Sequence, residues 1–159
     1  TVKHFWEVAD PTLGRQEIEE EKEMVITKGG IESDTADLTT VRVNTIVEKI
    51  SFDVKEFDLK AGKKVKLIFV NPDFMPHNFV IVKPGTADAV GNAAIALGAE
   101  GFKKGWLPES GDILHSTKLL EKGETEELKF TAPTEPGDYQ FVCTFPGHAV
   151  LMRGVIHVK

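Results

Sequence analysis

From residue 41 onward, apolar and polar residues alternate over short stretches, and the alternation predicts strands. Val41, Val43, Thr45 and Val47 fall on one side of an extended segment, as in a half-buried strand. Phe52 and Val54 alternate, then Phe57 and Leu59, with the parity broken between them. A bulge or bend near Lys55-Glu56 accounts for the slip. Ala61-Gly62-Lys63 is a turn, after which Val65, Leu67 and Phe69 begin a strand that runs to Asn71-Pro72. Phe79 to Val82 is an apolar run long enough for a buried strand. Leu128 and Phe130 alternate after an acidic turn. Pro136-Gly137-Asp138 then turns the chain into Tyr139, Phe141 and Cys143, which share one face, and Val155, Ile156 and Val158 form a last strand. Short strands separated by Gly/Pro turns predict an all-β, Greek-key β-sandwich.

Two segments depart from this pattern. Val90, Ala93, Ala94 and Leu97 recur at helical spacing behind Thr86, a candidate cap, with Gly98 just past the end. They predict a short helical flap inserted between strands, followed by an irregular stretch from Ala99 to Ser116. Trp106 lies in that stretch. If it packs on the core, its indole N–H needs a partner. Residues 1–40 form the second departure. Glu17 to Glu23 is a charge run with little apolar periodicity, read as a solvated helix or extended arm, and Gly29-Gly30 with the polar stretch Glu32 to Thr40 reads as a linker. The expected organisation is an acidic extension or linker over 1–40 and one domain over 41–159.

Charge supports that division. Residues 1–40 carry ten acidic and four basic side chains, whereas residues 41–159 carry fifteen of each. All of the net charge of −6 therefore sits in the first quarter, and nothing is basic enough to suggest nucleic acid. No run of 18 apolar residues suggests a membrane span, and no signal-peptide pattern is present. Beginning at Thr1 rather than Met, the chain reads as processed or as cut from something longer. Its single Cys excludes an internal disulfide, and also a dinuclear copper centre bridged by two thiolates.

The candidate chemistry is concentrated in Cys143-Thr-Phe-Pro-Gly-His148-Ala-Val-Leu-Met152, with Pro76-His77-Asn78 far upstream. Taken singly, a Cys is more often a small buried hydrophobe and a Met a gap-filler. Together they supply one thiolate, two imidazoles and one thioether, the donor set of a His₂Cys trigonal copper site with a weak axial Met. Cys143, His148 and Met152 can lie on one tight loop, while His77 must arrive from another strand. The loop prolines Pro76 and Pro146 fix φ beside the site.

These two segments resemble the blue copper proteins, or cupredoxins. The Cys-to-His-to-Met spacing is similar to that of azurin, and Pro-His-Asn to that of plastocyanin and auracyanin. The resemblance extends loosely to the helical flap. It implies one copper per chain, held by His77, Cys143, His148 and Met152, with each imidazole binding through Nδ1 and the other His148 nitrogen facing solvent as the electron's exit. Asn78 matches the family's Asn that ties the two ligand segments together, and Thr144 is expected in the same network. Pro76 stands where azurin has a Gly whose carbonyl approaches the metal.

The implied function is electron transfer by a type 1 copper cycling between Cu(II) and Cu(I). No His flanks Cys143 and no His-X-His pair exists, so wiring to a second copper is not expected. A saturated ligand set leaves no open position for substrate. The expectation is a carrier or electron-transfer domain and not an enzyme. Copper delivery or storage, and a structural role in a larger redox chain, are the rival readings. The first lacks the Met-rich, His-rich or paired-Cys sites it would call for. Phe74, Met75, Pro76, Phe145, Pro146, Val150 and Leu151 should surround the metal, several of them as an exposed apolar patch near His148. Expected partners are redox proteins such as a cytochrome or respiratory complex. Balanced charge over 41–159 implies weak electrostatic steering. By resemblance the location is periplasmic or otherwise extracytoplasmic, with a tether through a preceding region as one arrangement.

Overall fold

The alternating apolar residues line the inside of two sheets in a computed structural model that describes residues 26–159. The first sheet orders its strands β1-β2-β4-β7: Gly30–Asp34, Leu38–Asn44, Lys64–Asn71 and Glu124–Thr131. The second orders β3-β9-β8-β5-β6: Glu56–Leu59, Arg153–Val158, Gly137–Val142, Val80–Val82 and Ile113–Ser116. β2 pairs with β4, and β3 with β9, in parallel, while the other ladders are antiparallel. Val41, Val43, Val65, Leu67 and Phe69 from one sheet meet Phe57, Leu59, Phe141 and Ile156 from the other in a single core. Phe52, Phe69, Phe79 and Phe141 form its aromatic centre, with ring centroids from 4.9 to 6.0 Å apart. Such pairs contribute about 0.5–1.5 kcal/mol each beyond burial.

The apolar run at β5 has a physical reason. Ile81 faces that core, whereas Val80 and Val82 face outward and are covered by a helix, α1, Ala87–Ile95. Ala87 and Val90 of α1, Val142 of β8 and Ala149 of the ligand loop complete this second cluster. Gly91 allows the approach, since a Cβ there would stand 2.7 Å from that of Ala149. The helix starts after Thr86 as expected, but the Thr86 hydroxyl donates to the Lys83 carbonyl at 2.7 Å and does not cap the helix. Leu97 lies beyond the helical residues, and Gly98 follows with φ +54°.

Several expectations are corrected. The stretch Glu32 to Thr40, read as linker, contains edge strand β1 and the start of β2. β1 is solvated on nearly every position, so it has no apolar period to betray it. Its backbone pairs with β2, and Arg42–Glu32 (2.7 Å) and Lys63–Asp34 (2.5 Å) ion pairs hold it laterally. Ile113–Ser116, expected to be irregular, is strand β6 at the opposite edge of the other sheet, half-buried throughout. Val47, expected in a strand, is exposed in a turn, since β2 ends at Asn44 and only an isolated Thr45–Phe52 bridge follows. The parity break near Lys55-Glu56 marks where the chain changes partners from that bridge to the β3–β9 ladder. The charge run Glu17 to Glu23 lies outside the described residues.

Candidate metal centre

Cys143 follows the last residue of β8, and Met152 precedes the first of β9. Those strands pair Val142 with Arg153, and the Cys143 N–H donates to the Met152 carbonyl at 3.0 Å. The ladder therefore pinches together the ends of the loop between them. Inside the loop the His148 N–H donates to the Phe145 carbonyl (2.9 Å) and the Met152 N–H to the His148 carbonyl (2.7 Å). Gly147, at φ +81°, takes a conformation that a side chain would resist. His77 arrives from the segment before β5, the neighbour of β8. Its N–H and C=O are both fixed by Leu120, at 3.1 and 2.8 Å. A residue 66 positions away in sequence thus faces Cys143.

The Cys143 Sγ lies 3.8 Å from His77 Nδ1 and 3.7 Å from His148 Nδ1. The three ligand atoms fall within 4.8 Å of one another, and all three residues are buried. No other group of three or more His, Cys, Asp or Glu among the described residues has this property. Both imidazoles present Nδ1 to the sulfur. The donor set, soft sulfur plus two nitrogens in a dry pocket, fits copper. Burial pushes the Cys143 thiol up to about 12, against the opposing N–H groups of Asn78 and Phe145. Burial also lowers His148 to about 4, with the nearby His77 adding to the effect. His77 is lowered by burial too, partly offset by Asp73. At neutral pH the imidazoles are ready to ligate, while the thiol must give up its proton to a metal.

Asn78 ties the segment of His77 to that of Cys143. Its Oδ1 accepts from the Thr144 N–H (2.8 Å), and its Nδ2 donates to the Thr144 hydroxyl (2.8 Å) and the Gly105 carbonyl (3.1 Å). The Thr144 hydroxyl passes a hydrogen bond on to the Trp106 carbonyl at 2.5 Å. Trp106 is buried against Phe102 and Phe145, but its indole N–H has no partner among the described residues.

The profile described as "Copper binding proteins, plastocyanin/azurin family" matches residues 39–159. The chain belongs to this family. It is 36% identical over 122 residues to auracyanin-A of Chloroflexus aurantiacus, covering 76% of this chain and 74% of that one. Against an azurin of Pseudomonas chlororaphis the identity is 31% over 123 residues, covering 70% and 92%. The structure of dithionite-reduced auracyanin from Roseiflexus castenholzii superposes with a TM-score of 0.69 at 34% identity, over 79% of this chain and 99% of that one. The protein is a cupredoxin that binds one copper and transfers electrons through it.

The remaining site residues fall as follows. Met152 is fully buried at the end of the ligand loop. Pro76 is half-buried beside His77. His148 is only 2% exposed, with the Phe145 ring 4.7 Å away, so the expected solvent-facing edge is narrow. Sequence reasoning missed Asp73. Its Oδ2 accepts from His77 Nε2 at 2.7 Å, and it is buried. Its one sequence signal is an acid within an otherwise apolar loop, Phe74-Met75-Pro76, ahead of the His. Burial alone would raise its pKa, but hydrogen bonds from His77 and from the backbone of Glu48 and Phe74 outweigh that and lower it.

Proposed function

We propose that His77, Cys143 and His148 hold the copper as a trigonal set with Met152 as weak axial donor, and that the protein is a carrier with no substrate chemistry. The observation that carries this reading is the convergence of three buried ligand atoms within 4.8 Å, two of them reaching the sulfur through Nδ1. Copper, when bound, supplies a one-electron Cu(II)/Cu(I) couple. The chain supplies rigidity. Cys143 and Met152 are clamped by a strand pair, His77 by Leu120, and Asn78 locks one ligand segment to the other. Sites held this way change little between oxidation states, which favours fast exchange. No side chain is left to position a substrate where the fourth donor is Met152.

Its partner is a redox protein, such as a cytochrome or respiratory complex, that docks on the apolar rim around His148. Phe74 and Met75 just before His77, and Val150 and Leu151 just after His148, are exposed, and Phe102 meets edge-on the Phe145 ring that packs against His148. The contact belongs to the small, transient kind typical of electron transfer. Carriers of this family work outside the cytoplasm, which favours a periplasmic or other extracytoplasmic setting. The acidic N-terminal residues would then join the copper domain to a tether or neighbour. Optical spectroscopy tests the ligand set. The Cu(II) protein should be intensely blue or green and bleach on reduction, and Cys143→Ser should lose the band even where metal still binds. A colourless Cu(II) wild type with an intact thiol would sink the proposal.

A further inference from the structure

Asp73 has no part in the donor set, yet it is buried in contact with His77. Oδ2 takes the His77 Nε2 hydrogen bond at 2.7 Å, and Oδ1 takes the Glu48 N–H at 2.9 Å. Its own N–H is held by Asn71 Oδ1 at 3.0 Å. Asn71 in turn donates to the Met75 and Leu120 carbonyls (2.9 and 2.8 Å) and accepts from the Thr45 hydroxyl (2.7 Å). Leu120 is the residue that brackets His77. Glu48 sits at φ +63°, a conformation a non-glycine residue adopts at a cost, and it aims its N–H at the carboxylate. Among the described residues no Lys or Arg pairs with the carboxylate, and the side chain it meets is the His77 imidazole. A carboxylate that accepts from one imidazole nitrogen fixes the tautomer, frees the other nitrogen for metal, and raises its basicity.

Resting on the ligand set proposed above, we infer that Asp73 is a positioning residue that holds His77 as its Nε2–H tautomer and lowers the reduction potential of the copper. The reason for the direction is electrostatic. A buried negative charge at the back of a ligand favours the more positive oxidation state, and the dry surroundings screen it little.

The test compares reduction potentials of copper-loaded wild type, Asp73→Asn and Thr45→Val. Asp73→Asn keeps the shape and an acceptor oxygen but removes the charge. Thr45→Val is isosteric and takes a hydrogen bond from the same buried network without removing charge. Asp73→Asn should favour Cu(I) by roughly tenfold, a rise of about 59 mV, while Thr45→Val leaves the potential in place. An unmoved potential in Asp73→Asn, or an equal shift in Thr45→Val, would overturn the inference. Long-range ¹⁵N NMR of the wild-type Cu(I) protein tests it without any variant. His77 should carry its proton on Nε2, and a proton on Nδ1 would be fatal. A wild type without the thiolate band would remove the ligand reading and this inference with it, whereas an intact band with an unmoved potential removes only the inference.

Discussion

At the scale of single residues, the strongest determinants are donor atoms whose chemistry survives in one dimension. Cys143 and His148 are legible because their spacing fits one loop, and His77 because it stands in a Pro-His-Asn that resembles the family's. Asp73 was not legible. An acid four residues before a His means nothing until the fold closes a turn that points its carboxylate at Nε2. The same holds for Trp106, whose carbonyl and not its indole N–H serves the site by accepting from Thr144. Met152 is the residue where a substitution is most informative. It is fully buried, so exchange for Leu conserves volume and should cost little stability. A thioether donates to Cu(II) where a hydrocarbon cannot, so its loss favours the less charged state. Met152→Leu should keep the colour and raise the potential by on the order of one tenfold step, about 59 mV. Voltammetry checks this. An unchanged potential, or loss of copper binding, would show that Met152 is not the weak axial donor.

At the scale of elements, strands with one buried face announced themselves, and strands without one did not. β2, β4 and β8 alternate because one side of each meets the core. β1 is solvated and β6 is half-buried on every residue, so neither leaves a period for the eye to find. The helix was legible because Val90 does face a sheet, packed with Val80, Val82 and Val142, and Ala94 is buried. Strand β9 carries a second device that needed the structure. His157 Nδ1 meets Asp138 of β8 at 2.7 Å, and Nε2 meets Glu56 of β3 at 3.3 Å, so one imidazole clips three adjacent strands. The hydrogen bond to Asp138, then that to Glu56, raises the His157 pKa above its ordinary value. Raised in the folded state, the group stabilises the protein fully below the unfolded pKa near 6.5, and this contribution is lost as pH rises through the folded value. Urea unfolding of the copper-loaded wild type and His157→Gln should differ most below the unfolded pKa near 6.5 and converge as pH rises through the folded value. A gap of equal size on both sides would mean that the ion pairs contribute nothing.

For the whole molecule, the loop that carries His148 also carries two exposed apolar side chains just beyond that nearly covered imidazole. Val150 is 74% exposed and Leu151 64%, two and three residues beyond His148, which is itself 2% exposed. Side chains so placed contribute nothing to the core, and an apolar patch that stays open marks a contact site. Phe74, three residues before His77, is also exposed, with the Lys122 ammonium 3.8 Å above its ring. The balanced charge of residues 41–159 gives that part little long-range field to steer a partner, so docking at the proposed rim would rest on apolar contact. This separates two models of docking by sign. If apolar contact dominates, Val150→Glu and Val150→Lys should both slow electron exchange with the physiological partner several-fold, because each forces desolvation of a charge. If electrostatic steering dominates, one should slow exchange and the other speed it. Stopped-flow rates for the two variants decide, with the optical band and potential as internal controls that should stay at wild-type values. Full-speed exchange by both variants would move the electron's exit away from His148.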